Sequence, residues 1–316
     1  MTVYRLAAPA KINLFLQIIG DRLEGNGFHE LVMVMQAVTL ADHIELVPRL
    51  DDDIYIDCAH PLVPCDPSNL AYRAAKLLQK QVGDRGGVDI YIEKRIPVGA
   101  GLAGGSTNAA AVLVGLDLLW DLGLTQAELQ SLAAQLGSDV PFCLSGGTAL
   151  ALGRGDELTP LISLEGISVV LAKYRSLAVS TPWAYQTYRQ QFQANYAQTP
   201  GEQEQKRLQG GSPELLRTIA QHDVKNLSQY LKNDLENVVL RAYPQVQNLR
   251  QTFTELGALG TMMSGSGPTV FALVENDLKA EELCQAMAEK FQDTDLELWP
   301  CKFCSQGIHL VDFPSR

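Results

Sequence analysis

Basic residues and cysteines are both scarce in this sequence. Only 25 Lys and Arg stand against 36 Asp and Glu, a net charge of −11. Such a surface cannot displace the counterions of a nucleic acid over a broad face. An anionic ligand must therefore be held locally, by backbone N–H groups or a few well-placed cations. Six cysteines in 316 residues are too few for a disulfide scaffold. Cys301 and Cys304 have C-x-x-C spacing, but six residues separate the other close pair, Cys58 and Cys65. No helix start follows Cys301, so reduced thiols in a cytoplasmic protein are expected, with neither a zinc site nor a redox pair. No secretory leader is expected either: the apolar stretch Ile12–Gly20 contains Asn13 and Gln17, and acidic residues follow it.

Charge is absent altogether from Ile96 to Leu116, a run long enough to span a bilayer. Its first half is Pro97, Gly99, Gly101, Gly104, Gly105, Ser106, Thr107 and Asn108, which is loop chemistry. The run therefore reads as a buried loop opening into a buried helix, and no membrane association is expected.

Apolar residues make up 46% of the chain and charged residues 19%, ample material for a core. The length exceeds the ~250–300 residues at which one core stops growing, so two domains are expected. Hydrophobic alternation predicts strands at Val3–Ala8, Ile12–Ile19, Leu31–Leu40 and His43–Pro48. A helix over Leu70–Val82 follows the Asp66–Asn69 start signal, then a strand at Val88–Glu93 and a helix over Ser106–Trp120. Thr125 and Glu128 form a capping box for a helix ending at Gly137, before a strand at Thr148–Leu152.

In the second half, a strand at Ile167–Ala172 and a helix over Thr181–Asn195 precede a polar stretch, Thr199–Ser212, that reads as a loop. Helices are expected at Pro213–His222, Ser228–Val239, Pro244–Leu256 and Leu278–Lys290. Strands are expected at Thr261–Ser264, Thr269–Val274, Glu297–Cys301 and Gly307–Asp312. Strands come in groups rather than in β-α-β alternation, which favours an α+β fold. A composition shift near Asp156–Glu165 divides the chain into 1–160 and 161–316.

The strongest chemical signal is the loop Pro97-Val98-Gly99-Ala100-Gly101-Leu102-Ala103-Gly104-Gly105-Ser106-Thr107, between a strand and a helix. Glycines let backbone N–H groups approach an anion, and the helix N-terminus adds partial positive charge. An acidic protein can hold a polyphosphate this way without many lysines, with Ser106 and Thr107 adding hydroxyls. Two familiar phosphate motifs fail here. Gly99-x-Gly101-x-x-Gly104 matches the dinucleotide fingerprint, but its helix leads to another helix and not to a strand ending in an acidic ribose ligand. A P-loop needs a lysine before the hydroxyls, and none is present.

Four blocks carry a family resemblance: Ala8-Pro9-Ala10-Lys11-Ile12-Asn13-Leu14, the glycine loop, Leu136-Gly137-Ser138-Asp139-Val140-Pro141-Phe142, and Met263-Ser264-Gly265-Ser266-Gly267-Pro268. In this order the chain resembles the galactokinase, homoserine kinase, mevalonate kinase and phosphomevalonate kinase (GHMP) superfamily. The first and third blocks are most similar to its branch acting on 4-diphosphocytidyl-2-C-methyl-D-erythritol. The resemblance implies a two-lobed α+β fold with the active site in the cleft, 1–160 binding ATP and 161–316 binding substrate. It implies phosphorylation of that compound's 2-hydroxyl, with ATP and Mg²⁺, on the methylerythritol phosphate route to isoprenoid precursors.

By spacing alone Lys11 could be a solvated strand lysine and Asp139 a turn residue. The resemblance makes them the catalytic pair, Asp139 accepting the hydroxyl proton and Lys11 stabilising charge on the attacking oxygen. It further implies Asn69 and Lys94 beside the nucleoside of ATP, and Asn13, Thr181, Gly265 and Ser266 on the acceptor side. Phe28 and His29, after a Gly25-Asn26-Gly27 turn, would stack on cytosine and hydrogen-bond its edge. The family block carries a tyrosine where this chain has Phe28, so the ring is kept and the hydroxyl is lost. Alternatives are a relative acting on another small alcohol, a non-catalytic nucleotide sensor and, more remotely, a dehydrogenase.

Overall fold

Two long strands open the chain, in a computed structural model that describes residues 2–22, 27–83, 85–209 and 213–312. β1 (Tyr4–Asp21) and β2 (His29–Pro48) pair antiparallel along their length. The sequence pattern splits each of them in two. The breaks expected at residues 9–11 and 41–42 coincide with a register shift between Pro9 and Ala10. Proline has no N–H for the ladder, and the extra residues at the shift re-aim neighbouring side chains. A second shift lies between Asn13 and Phe15, so Lys11 and Asn13 sit on a segment bracketed by irregularities.

β3 (Ile54–Asp57) and β4 (Val88–Glu93) extend this sheet beside the C-terminal half of β2. β5 (Thr148–Gly153) and β6 (Glu157–Pro160) extend it beside the N-terminal half. Helices α1 (Leu70–Val82), α2 (Gly104–Leu119), α3 (Gln126–Leu136) and α4 (Val140–Ser145) cover one face and bury a core against Leu6, Ile44, Leu46 and Ile90. Thr125 and Glu128 form the expected capping box on α3.

A second sheet, fully antiparallel, has the order β11-β7-β10-β9, from β7 (Ser168–Tyr174), β9 (Gly260–Met263), β10 (Val270–Val274) and β11 (Leu296–Lys302). It is buried on both faces, Val169 and Leu171 facing one cluster and Val170 and Ala172 another. Between its strands come α5 (Thr181–Phe192), α6 (Pro200–Leu208), α7 (Pro213–Ala220), α8 (Val224–Leu227), α9 (Glu236–Ala242), α10 (Pro244–Glu255) and α11 (Asp277–Phe291). Two short strands from the second half of the chain, β8 (Lys232–Asn233) and β12 (His309–Leu310), pair with β1.

The structure departs from the sequence reading in specific places. Thr199–Ser212 is not a loop throughout: Thr199 caps α6, accepting from the Glu202 N–H at 3.2 Å. Gly210–Ser212 lie outside the described residues. The helix expected over Ser228–Val239 is a 3-10 turn, β8 and α9. Asp234 accepts the Ile18 N–H at 2.8 Å and draws the chain out beside β1. The strand expected over Gly307–Asp312 shortens to β12, and β3, α4 and β6 were not anticipated. All six cysteines are free thiols. Among the described residues no helix is long and apolar enough to cross a membrane.

The charge-free run folds as expected, a loop that opens into α2. Apolar residues on nearly every side of α2 bury it, Ala109 to Leu113 being wholly enclosed. Gly115 lets it approach the sheet closely, since a Cβ there would meet Leu46 Cδ1 at 2.3 Å and Leu6 Cδ1 at 2.9 Å. Gly115→Val should therefore overpack this contact and cost about 1–3 kcal/mol, read as a lower urea midpoint. An unchanged midpoint would show that the leucines can move aside freely.

Candidate active site

The glycine loop and the second glycine-rich turn meet backbone to backbone. Gly101 has φ +74°, and a Cβ on it would lie 2.3 Å from the Ser264 carbonyl oxygen and 3.1 Å from Gly267 N. Ser264 Oγ donates to the Gly101 carbonyl at 3.1 Å. Asn233 fixes the far side of the turn, its amide donating to the Met263 and Gly265 carbonyls at 2.8 Å each. Lys11 N donates to the Leu102 carbonyl at 3.1 Å, which ties β1 to the same loop.

Around this junction lies a cavity of about 890 Å³. At one end α2 points its N-terminus inward. Ala103, before the first turn, is left-handed at φ 59°, and the turn holds no acidic side chain. The N–H groups of Gly104, Gly105 and Ser106 precede any intrahelical partner, so they and the helix dipole favour an anion. Lys94 Nζ lies only 2.8 Å from where a Gly104 Cβ would be, and it pairs with the buried carboxylate of Asp42. Leu62, Val63, Pro64 and Leu70 make an apolar wall nearby. Asn69 caps α1 through its oxygen and holds the Pro64 carbonyl at 2.7 Å through its nitrogen, so its amide organises that wall.

Lys11 and Asp139 come together from opposite ends of the first half of the chain. Lys11 Nζ is buried, donates to Asn13 Oδ1 at 2.8 Å and lies 3.5 Å from Asp139 Oδ2. Asp139 starts α4 after the Gly137 stop, and its carboxylate opens onto the cavity. The pair stands where a hydroxyl could be deprotonated beside a bound anion. Four cations line the cavity, Lys11, Lys94, Arg154 and Arg189, against the one carboxylate of Asp139 among the described residues. The charge balance of the whole protein is locally reversed.

The other end is aromatic. Phe28 is half exposed, with the Arg154 guanidinium 5.6 Å from its ring centre. His29 is buried, its ring centre 5.2 Å from that of Tyr185. Burial, aided by the nearby Arg189, pulls the His29 pKa down from 6.5 to about 4 against the opposing effect of Asp21. At neutral pH it is an uncharged imidazole. Gly25 and Asn26 lie outside the described residues; Arg189 donates to Asp21 Oδ1 at 2.9 Å and to the Gly27 carbonyl at 3.1 Å. Thr181 Oγ1 and Ser266 Oγ lie 2.7 Å apart on the cavity wall.

Lys11, Asn13, Phe28, His29, Asn69, Lys94, residues 97–106, Asp139, Thr181, Gly265 and Ser266 all line this cavity. Thr107 does not: a further 100° around α2 turns it into the core, where it is fully buried. Sequence reasoning missed Tyr185 and Arg189. Thr181, Tyr185 and Arg189 are spaced i, i+4, i+8 along α5, and that periodicity was the available signal. Arg154 and Asp42 carried no signal in the sequence.

Family models for the GHMP kinases match twice, the N-terminal domain over residues 69–147 and the C-terminal domain over 215–293. A 4-diphosphocytidyl-2-C-methyl-D-erythritol kinase of Thermosynechococcus vestitus is 64% identical, over 98% of this chain and 99% of that protein. One of Acaryochloris marina is 61% identical, over 98% and 100%. The chain belongs to the GHMP kinases, in the 4-diphosphocytidyl-2-C-methyl-D-erythritol kinase family. A crystal structure of 4-(cytidine 5'-diphospho)-2C-methyl-D-erythritol kinase superposes with a TM-score of 0.75 at 32% identity, covering 95% of this GHMP kinase and 98% of that chain. A homoserine kinase from Cytophaga hutchinsonii shares the fold at 19% identity with the same TM-score, covering 98% of each chain. The α+β fold implied by the sequence is that of this family.

The His29 shift has a consequence for stability. Its folded pKa lies below the unfolded value of 6.5, so the unfolded chain binds the extra proton as pH falls. The contribution is fully present above pH 6.5 and is lost on descending through about pH 4. At pH 5 the cost is about 2 kcal/mol. His29→Gln should remove it, so that its urea midpoint falls less between pH 7 and pH 5 than that of the unsubstituted protein. Identical falls would mean that His29 titrates normally.

Proposed function

We propose that this kinase transfers the γ-phosphoryl group of ATP to the 2-hydroxyl of 4-diphosphocytidyl-2-C-methyl-D-erythritol, a step of the methylerythritol phosphate route to isoprenoid precursors. One observation carries the reading. The Lys11–Asp139 pair stands in a single cavity between an anion-binding helix N-terminus and an aromatic pocket. ATP takes the first end, its base against the wall built around Asn69 and its phosphates on the backbone N–H groups of residues 99–106. Lys94 goes to the phosphates and not to the nucleoside as the resemblance implies, because its Nζ stands beside Gly104 at the start of α2. The cytidine takes the second end, its base on Phe28 and Tyr185 with neutral His29 at its edge.

The work is divided across the chain. Residues 1–160 supply the whole ATP side and also Asn13, Phe28 and His29. Residues 161–316 complete the acceptor side with Thr181, Tyr185, Arg189, Gly265 and Ser266. Asp139 accepts the proton of the attacking hydroxyl, and Lys11, held by Asn13, stabilises charge on the attacking oxygen. Transfer is direct and in line, with no phosphoenzyme. Mg²⁺ would be held by the Ser106 hydroxyl and the Asp139 carboxylate, both on the cavity wall, since this ion needs only one or two protein oxygens. When bound it neutralises charge on the transferring group.

The pocket disfavours homoserine, mevalonate or a simple sugar, none of which has a base to stack. The test is ADP release with the cytidylyl polyol, homoserine and mevalonate offered separately. Turnover should occur with the first; comparable turnover with either of the others overturns the assignment. Asp139→Asn should lower turnover at least ~10²-fold while both ligands still bind. Near-normal turnover in that variant would make Asp139 a structural turn residue.

A further inference from the structure

We infer that Asp42 is a positioning residue for ATP, presenting Lys94 to the phosphates while never touching them. This rests on the proposal that Lys94 is an ATP ligand. Asp42 lies on β2, just beyond the register shift opposite Pro9 and Ala10, and has no exposed surface. Its carboxylate takes four donors from two separate segments. Oδ1 accepts the backbone N–H groups of Arg95 and Ile96, each at 2.8 Å. Oδ2 accepts Asn108 Nδ2 at 2.8 Å and pairs with Lys94 Nζ. The acid thus joins the segment leading into the glycine loop to the second turn of α2, on either side of that loop.

Lys94 needs such a partner. An ammonium on a flexible four-carbon stem has many places to go. The one it occupies here, beside the Gly104 end of α2, is repelled by the partial positive charge of the helix N-terminus. The Asp42 carboxylate offsets that repulsion before any phosphate arrives. It uses part of the ammonium's donor capacity and leaves the rest for a ligand. The cost of ordering Lys94 is then met during folding and not during binding.

The test compares the unsubstituted kinase with Asp42→Asn, Lys94→Met and the double variant. KM for ATP, KM for the acceptor and the melting temperature are measured for each. Asp42→Asn keeps an oxygen for the two backbone N–H groups and removes the charge. Asp42→Ser, a smaller neutral acceptor, is the second variant should the first not fold. Each single change should raise KM for ATP about tenfold and leave the acceptor KM unchanged. The double variant should be no worse than Lys94→Met alone, because Asp42 acts through that lysine.

Additive losses overturn the inference. So does a parallel rise of both KM values with a lowered melting temperature, the signature of a purely structural acid. An effect of Lys94→Met without one of the Asp42 variants does the same. If Lys94→Met itself leaves KM for ATP unchanged, the ligand role of Lys94 fails, and the Lys11–Asp139 assignment is untouched.

Discussion

The contact between Gly101 and the Ser264–Gly267 turn sets the terms for the whole site. Two stretches of backbone more than 160 residues apart in sequence come close enough that a single Cβ would separate them. From that contact the glycine loop runs into α2, and the Leu102 carbonyl holds β1 with its Lys11 and Asn13. On the other side the turn reaches Thr181 through Ser266, and Asn233 anchors it beside β1. A side chain at position 101 would do more than obstruct a ligand. It would pull apart the two halves of the cavity wall, which is why conformation and space both demand glycine there.

Charge explains how an acidic kinase manages two highly anionic substrates. Backbone N–H groups carry no net charge and so do not disturb the overall balance of −11. Four cations along the cavity add to these groups, and each is paired with a carboxylate: Lys11 with Asp139, Lys94 with Asp42, Arg154 with Asp156 and Arg189 with Asp21. The low pKa of His29 belongs to the same economy. An uncharged imidazole can discriminate a base edge without adding another cation at the aromatic end.

Much of this was legible in the sequence because the relevant signals are local. The glycine loop, the capping box at Thr125 and Glu128 and the stop at Gly137 each depend on a few consecutive residues, and each appears where expected. Thr199 and Glu202 formed an equally local cap that the polar composition of the stretch obscured. The long β1 and β2 were harder, because Pro9 looks like an end and only the bulged pairing shows that the strand continues through it. Thr107 lies away from the cavity for a different reason: it shares its chemistry with Ser106, and only the pitch of α2 separates them. Asp42 was beyond reach, since its meaning lies in donors more than fifty residues away.

The pairing of β1 with β8 and β12 bears on how such a chain is made. β1 leaves the ribosome some three hundred residues before its neighbours His309 and Leu310. Until then that edge of the sheet is an open template for other strands, and Lys232–Asn233 can cover only two of its residues. Contacts of such sequence separation close late and slow the final step of folding. The strand that carries Lys11 is therefore made long before its edge at Leu6 and Ala7 can be covered, and for that interval its exposed N–H and C=O groups depend on other cover.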